Sequence, residues 1–234
     1  MSKRAFTEST ERQRQNHAVI ILASGLSQRL GEPKQLLIKS GEPLIIYMTR
    51  LAITTNSQAI VVVIPDNHRL IASAITELAD QYPAVKIVVN PKAETGMAHS
   101  LSLGIKRIVG FEADSIDRVL IMGVDQILLD EHHITALLAG KQTVVASHYH
   151  NWQRLEKYQN LYEGASDIIG LPLAINYKLL RQWQPELIGD KGLRNLIRVL
   201  PAEQIGMVDN DQLSYDIDTP EQLAFAIRQG WLEN

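Results

Sequence analysis

Four short, mostly apolar runs constrain the folding of this chain more than anything else in it: residues 18–22 (AVIIL), 59–64 (AIVVVI), 85–89 (VKIVV) and 118–124 (RVLIMGV). Runs of this length, rich in β-branched residues, are what strands look like, and those at 18–22, 59–64 and 118–124 read as buried ones. Between them lie stretches with helical spacing. Leu44, Tyr47, Met48 and Leu51 recur at intervals of three and four; residues 67–80 form a second such stretch, and a third runs from about 96 to 109. Strand and helix alternating in this way predict βαβ units, and hence an α/β fold whose mostly parallel central sheet carries helices on both faces. In such sheets ligands bind beyond the carboxyl ends of the strands. The segments that follow the four runs are therefore where function is sought.

The first run opens into the segment richest in chemistry, residues 17–37 (HAVIILASGLSQRLGEPKQLL). After the strand come Ala23, Ser24 and Gly25, a polar loop with Ser27, Gln28 and Arg29, then Gly31, Pro33 and Lys34. A buried strand leading into a glycine-containing loop with two cations suits an anion. Gly25 and Gly31 let backbone amides come close to it, and Arg29 and Lys34 supply the opposite charge. Two common phosphate motifs do not fit. A P-loop has its lysine directly after the second glycine and then Ser or Thr, whereas Lys34 lies three residues after Gly31 and precedes Gln35. The dinucleotide fingerprint needs a closer set of glycines than this pair, six apart.

The loop resembles instead the L-x-x-G-x-S-x-R-x-G-x-x-K segment of the MobA-like nucleotidyltransferases, matched by Leu22, Gly25, Ser27, Arg29, Gly31 and Lys34. The resemblance implies a Rossmann-like nucleotidyltransferase fold. It also implies that Leu22, Ala23, Ser24, Gly25, Ser27, Arg29, Gly31 and Lys34 bind the nucleotide, with Lys34 and Arg29 catalytic through the charge they bring to the triphosphate. Later segments continue it in order. Residues 90–101 (NPKAETGMAHSL) match N-P-x-x-x-x-G-M-x-x-S-L, which implies nucleotide contact for Gly96 and Ser100; turn and capping chemistry at a helix start would account for the same two residues. The run at 118–124 ends in Asp125-Gln126, where the family has D-x-P or D-Q-P and its aspartate carries the catalytic magnesium; Ile127 stands at the proline position. A carboxylate at the end of a buried strand is costly to desolvate and well placed to hold a cation. Asp125 is thus the first metal ligand expected and a catalytic residue.

Residues 216–223 (DIDTPEQL) are similar to the family's D-I-D-T-P-E-D-L and depart only at Gln222. Thr219, Pro220 and Glu221 suit a helix start. Asp216 and Asp218, two apart on an expected strand, would share a face, as metal-binding carboxylates do. The resemblance implies Asp218 as the second metal ligand, with Asp216 as its neighbour or substitute. The branch most resembled, the molybdenum cofactor cytidylyltransferases, has G-H-P before an apolar strand; here Gly170 and Pro172 match and Leu171 replaces the histidine. Residues 189–197 (GDKGLRNLI) resemble the same branch's G-D-x-G-A-R-x-L-L. On that resemblance Gly170, Pro172, Asp190 and Arg194 are expected to bind the acceptor. His148 and His150 would share a face of a strand predicted at 143–148, but with no Cys and no carboxylate cluster beside them in sequence they are expected to be solvated or hydrogen-bonded, as are His132 and His133 beside the helix-capping Asp130. Residues 152–162 carry no motif and are expected to form a lid over the acceptor or a contact between subunits.

Composition narrows the partners. A net charge of −3 over 234 residues leaves no basic footprint, so nucleic acid is not expected. No apolar run reaches membrane-spanning length, and the lack of cysteine excludes disulfides and zinc–thiolate sites. Residues 1–16 are polar, without the apolar segment of a secretory signal. They read as a tail before a single domain at 17–234, divided into a nucleotide-binding half (17–147) and an acceptor-binding half (148–234), with a cytoplasmic location by default. The resemblance implies transfer of a nucleoside monophosphate, first CMP from CTP, to a phosphorylated acceptor of molybdopterin type, with Mg2+ as cofactor and a molybdoenzyme or its chaperone receiving the product. Two alternatives stay open: GTP or another triphosphate with a pterin or sugar-phosphate acceptor, and a non-catalytic chaperone that binds the molybdenum cofactor.

Overall fold

The computed structural model describes residues 16–66, 68–110, 115–150, 167–189 and 192–234. The expected tail up to residue 15, the expected lid or subunit contact at 152–162, and Asp190 lie outside the described residues. In chain order the strands are β1 (His17–Leu22), β2 (Ile38–Lys39), β3 (Glu42–Pro43), β4 (Ala59–Pro65), β5 (Val85–Asn90), β6 (Arg118–Gly123), β7 (Val144–His150), β8 (Asp167–Asn176) and β9 (Ile205–Asp209). The α-helices are α1 (Leu44–Ile53), α2 (Arg69–Gln81), α3 (Met97–Val109), α4 (Glu131–Ala139), α5 (Tyr177–Trp183), α6 (Arg194–Arg198) and α7 (Pro220–Arg228).

Seven strands form one sheet in the order β5-β4-β1-β6-β8-β7-β9, while β2 and β3 pair as a separate hairpin. β1 runs parallel to β4 and β6, β4 to β5, and β7 to β9. β8 runs antiparallel to both of its neighbours. The fold is the expected Rossmann-like α/β arrangement with a mostly parallel sheet. Both faces are covered, which is why the strand runs carry no polar alternation. Val19, Ile21, Ile60 and Val62 pack with α1, α2, α4 and α7 on one face; Ala18, Ile20, Val61 and Val63 pack with α3 and α5 on the other. The α3 backbone lies so near β1 that a Cβ on Gly104 would stand 2.8 Å from Ile20 Cγ2.

At the start of β6 the buried Arg118 guanidinium donates to the carbonyls of Gly140, Gln142 (3.0 Å) and Ala174 (3.1 Å), tying the parallel strands to β8 and to the turn before β7. Those carbonyls replace the water that the cation gives up.

One local expectation changes. Asp216 and Asp218, expected on a strand, lie in a segment with no strand pairing, between the turn at Asp211–Ser214 and α7. Pro43 pairs with Ile38 and stands just before α1. No described helix is long and apolar enough to cross a membrane.

Candidate active site

Beyond Leu22 the chain turns along the carboxyl edge of the sheet. Ala23 is buried, its N–H donating to Val63 O (2.9 Å) and its carbonyl accepting from Gln35 Nε2 (2.7 Å). The same amide nitrogen donates to Gly25 O (2.9 Å), so Gln35, only 1% exposed, holds the backbone on both sides of Ser24. Ser27 closes the rest of the loop. Its carbonyl accepts from the N–H groups of Leu30 and Gly31, both at 3.1 Å, and its Oγ accepts from Lys34 N at 3.1 Å. This turn needs φ of 83° at Gly31, a conformation glycine adopts without strain. Leu22, Ser24, Gly25, Ser27 and Lys34 line a cleft of about 470 Å³, a size usual for small-molecule sites. Ala23, Arg29 and Gly31 lie behind it or at its rim.

The facing wall comes from the start of α3. Ser100 Oγ lies 2.5 Å from Ser24 Oγ and accepts from Asn90 Nδ2 at 2.9 Å, while Asn90 Oδ1 accepts from Lys92 N at 2.9 Å. All three side chains are buried, so the ends of β1 and β5 and the first turn of α3 are tied into one unit. Gly96 and Ser100 both line the cleft.

β6 delivers Asp125. A Cβ on Gly123 would stand 2.7 Å from Asp125 Oδ1, so glycine is what allows the carboxylate to fold back against the strand end. Ile127 N–H donates to Asp125 O at 2.9 Å. The family's proline has no hydrogen for that bond, so here a hydrogen bond and a fully buried side chain replace a rigid ring. Lys34 Nζ sits 3.3 Å from Asp125 Oδ2 and 2.6 Å from Asp218 Oδ1, although the partners lie 91 and 184 positions away in the chain. Arg29 Nη2 reaches Asp218 Oδ2 at 2.8 Å from the rim, where its side chain is 76% exposed against 12% for Lys34.

Charge follows this geometry. Burial works to lower the Lys34 pKa, but Asp125 and Asp218 outweigh it and hold the ammonium above the ordinary lysine value. Burial would likewise raise Asp218, yet Lys34 and Arg29 bring its carboxyl below the usual range. Asp216 lines the same cleft, and there burial, together with the charges of Asp125 and Asp218, pushes the pKa up to about 6. The two aspartates thus meet in one cleft without the strand that was expected to align them. What holds Asp218 is the cap of α7. Gln222 Oε1 accepts from Asp218 N (2.8 Å) and Thr219 N (3.0 Å), while Thr219 Oγ1 accepts from Gln222 N at 3.4 Å, forming a capping box.

The far wall is built from β7 and β8. Their register passes from Ala146–Leu173 to Ser147–Gly170, leaving Leu171 and Pro172 as a two-residue bulge in β8. Bulges re-aim side chains, and Leu171 here lines the cleft where the resembled branch has histidine. Ser147 Oγ donates to Pro172 O (2.7 Å) and meets His133 Nε2 at 2.8 Å, so the serine must accept there and His133 carries its proton on Nε2. His148 and His150 bond to Asp209 (2.7 Å) and Asp211 (2.8 Å), the hydrogen-bonded outcome expected. Gly170 and Pro172 do not line the cleft. Arg194 begins α6 with its side chain exposed, near enough for its charge to act on Tyr149.

Three contributors escaped sequence reading. Gln35 directly follows Lys34 and reads as a loop residue; Gly123 reads as a weak spot in a strand. Tyr149 lies between two histidines that drew the chemistry away from it.

A mostly parallel sheet with this cleft at its carboxyl edge is a Rossmann-like α/β fold, and solved structures agree. Similar folds are a nucleotidyl transferase from Methanothermobacter thermautotrophicus (TM-score 0.66, 18% identity, 92% of this chain and 97% of that one) and 4-diphosphocytidyl-2C-methyl-D-erythritol synthase from Anaerococcus prevotii (0.65, 16%, 92% and 96%). A third is Rv0371c from Mycobacterium tuberculosis in complex with manganese (0.63, 16%, 92% and 99%). At such identities the similarity is one of fold. No curated protein sequence gives a match. The family model of the MobA-like NTP transferase domain matches residues 19–205, and the chain belongs to that family.

Proposed function

We propose that this protein transfers a nucleoside monophosphate from a nucleoside triphosphate to a phosphorylated acceptor, with CTP and a molybdopterin-type acceptor as the pair. The observation that carries this reading is Lys34 held between Asp125 and Asp218 in a cleft at the carboxyl edge of the sheet. An oxygen of the acceptor's phosphate attacks the α-phosphorus in line; the new P–O bond forms as the bond to the bridging oxygen breaks, and the electron pair leaves with pyrophosphate. No side-chain nucleophile is required.

The chain supplies placement and charge. Lys34 and Arg29 turn from their carboxylates to the triphosphate, and the Gly25–Gly31 loop presents backbone amides to it. Leu22, Ser24, Gly96 and Ser100 enclose the nucleoside, with Ala23 and Ser27 setting the loop's shape. Asp125 and Asp218 suit Mg2+, because both already converge on one cation and an oxygen-only pair is what this ion takes when phosphates complete its shell. Among the described residues no cluster of three or more His, Cys, Asp or Glu side chains forms a ready-made cage, in keeping with that division. Bound there, the ion would neutralise charge on the phosphates. The acceptor lies toward residues 148–234, with Arg194 and Asp190 as its polar contacts and with Gly170 and Pro172, set back from the cleft, on either side of Leu171. Leu171 favours a second reading, the same transfer to an acceptor other than a pterin.

Pyrophosphate release from each of the four triphosphates, with and without Mg2+ and molybdopterin, tests the proposal. Release that needs CTP, metal and acceptor together supports it; release with GTP or UTP alone moves the base; CTP binding without release under any condition favours a binding protein. Lys34→Ala should lower turnover about 100-fold or more, as loss of one preorganised charge donor does, while leaving the fold intact. A fully active Lys34→Ala protein refutes the assignment.

A further inference from the structure

We propose that Tyr149 positions the acceptor's phosphate through its phenolic O–H, and that residue 170 is glycine so that this hydroxyl has its place. The inference rests on the acceptor side of the transfer proposed above and names a residue for it.

Tyr149 stands on β7 opposite Ile168 of β8, is half-buried against the core cluster on one face of the sheet, and lines the cleft. A Cβ added to Gly170 would lie 2.8 Å from the phenol oxygen and 3.5 Å from Cζ. The hydroxyl therefore occupies the space a side chain at 170 would take. Among the described residues this hydroxyl forms no hydrogen bond, and Tyr149 lines the cleft.

An acceptor phosphate entering here meets three carboxylates, Asp125, Asp216 and Asp218, lining the same cleft. Lys34 is engaged with Asp125 and Asp218, and Arg29 with Asp218. The anion needs a donor that carries no negative charge of its own. Tyr149 meets that need. Burial and the charges of Asp216 and Asp125 push its pKa up to about 12, with Arg194 acting in the opposite sense. The phenol keeps its proton throughout and acts as a neutral donor to a non-bridging oxygen. The attacking oxygen is supplied already deprotonated by the acceptor's phosphate, so no base is required of the tyrosine.

Binding of phenyl phosphate, a minimal phosphate monoester, measured by calorimetry tests this directly. The titration is run on the full chain alone and on the chain saturated with Mg2+ and the α,β-methylene analogue of CTP, which keeps the probe out of the triphosphate's place. Tyr149→Phe should raise the Kd for phenyl phosphate about tenfold, the loss expected of one hydrogen bond to a charged group, with the Kd for the CTP analogue unchanged. Gly170→Ala should do the same by displacing the phenol. The double variant should bind no worse than Tyr149→Phe alone, because phenylalanine has no oxygen for the new methyl to meet. A tyrosine with only a structural role would lower the melting temperature and leave this Kd where it was. Wild-type protein that does not bind phenyl phosphate, Tyr149→Phe that binds it equally well, or additive losses in the double variant each overturn the proposal. Failure of the CTP analogue to bind while phenyl phosphate binds in a Tyr149-dependent way overturns the nucleotide reading alone.

Discussion

Three carboxylates share the cleft with one lysine, and the balance is least favourable at Asp216. Its folded pKa of about 6 lies above the ordinary 3.8, first through burial and then through Asp125 and Asp218. Folding thus favours its protonated form, and stability falls as pH rises from about 3.8 to about 6, with the full penalty present above that. Asp216→Asn should stabilise the metal-free protein at pH 7 and not at pH 4. More than a third of the residue meets solvent, so the gain is about 1 kcal/mol, well under the full worth of the shift. Urea melts of both proteins at the two pH values decide it; an equal gain at both would sink the electrostatic account. Lys34 has the opposite sign. Its raised pKa contributes stability that is complete below 10.5 and is lost as pH climbs through the folded value. Asp218, held low, contributes above 3.8 and loses that as pH falls through its own.

Among the elements, α7 and α3 place the cleft's side chains by different means. The cap of α7 reaches back one residue further than a cap needs to, because Gln222 also accepts from Asp218 N. Gln222→Ala should therefore cost about 1 kcal/mol of stability, as loss of a cap does, and also weaken nucleotide binding in Mg2+ by freeing Asp218. Stability lost with no change in that binding would show that the cap serves the helix alone. For α3 the control is closeness. Alanine is the better helix former by about 1 kcal/mol, yet Gly104→Ala would press a methyl against the stiff, buried Ile20, where overpacking costs about 1–3 kcal/mol. A net loss in urea unfolding is expected; a net gain would mean that α3 moves off β1 without penalty.

For the molecule as a whole, a ligand that binds only the folded state adds about 2.7 kcal/mol at a concentration 100 times its Kd. In a chain of this size that is a rise in melting temperature of roughly 5–10 °C. CTP with Mg2+ should produce such a rise and EDTA should remove most of it; a shift that survives EDTA would argue against Asp125 and Asp218 as metal ligands.

How much of this was legible beforehand follows from the range of the forces involved. Residues 18–22, 59–64 and 118–124 declared themselves as strands because burial on both faces leaves a mark in adjacent residues, and the edge strand at 85–89 did so by its short β-branched run alone. The caps at Asp130 and Thr219 were equally plain, since a cap is a bond between residues three apart. The loop from Gly25 to Lys34 could be read from its composition as a glycine-containing turn that carries two cations. The antiparallel insertion of β8 between β6 and β7 left no such mark, nor did the bulge that aims Leu171 into the cleft or the space at Gly170 that Tyr149 occupies. The same holds for Lys34, lodged between carboxylates 91 and 184 residues away. Those features depend on which distant surfaces pack together, and that contact energy is shared between segments that carry no local trace of one another. Periodicity and turn chemistry determined the elements and the loop; long-range packing determined the company each site residue keeps.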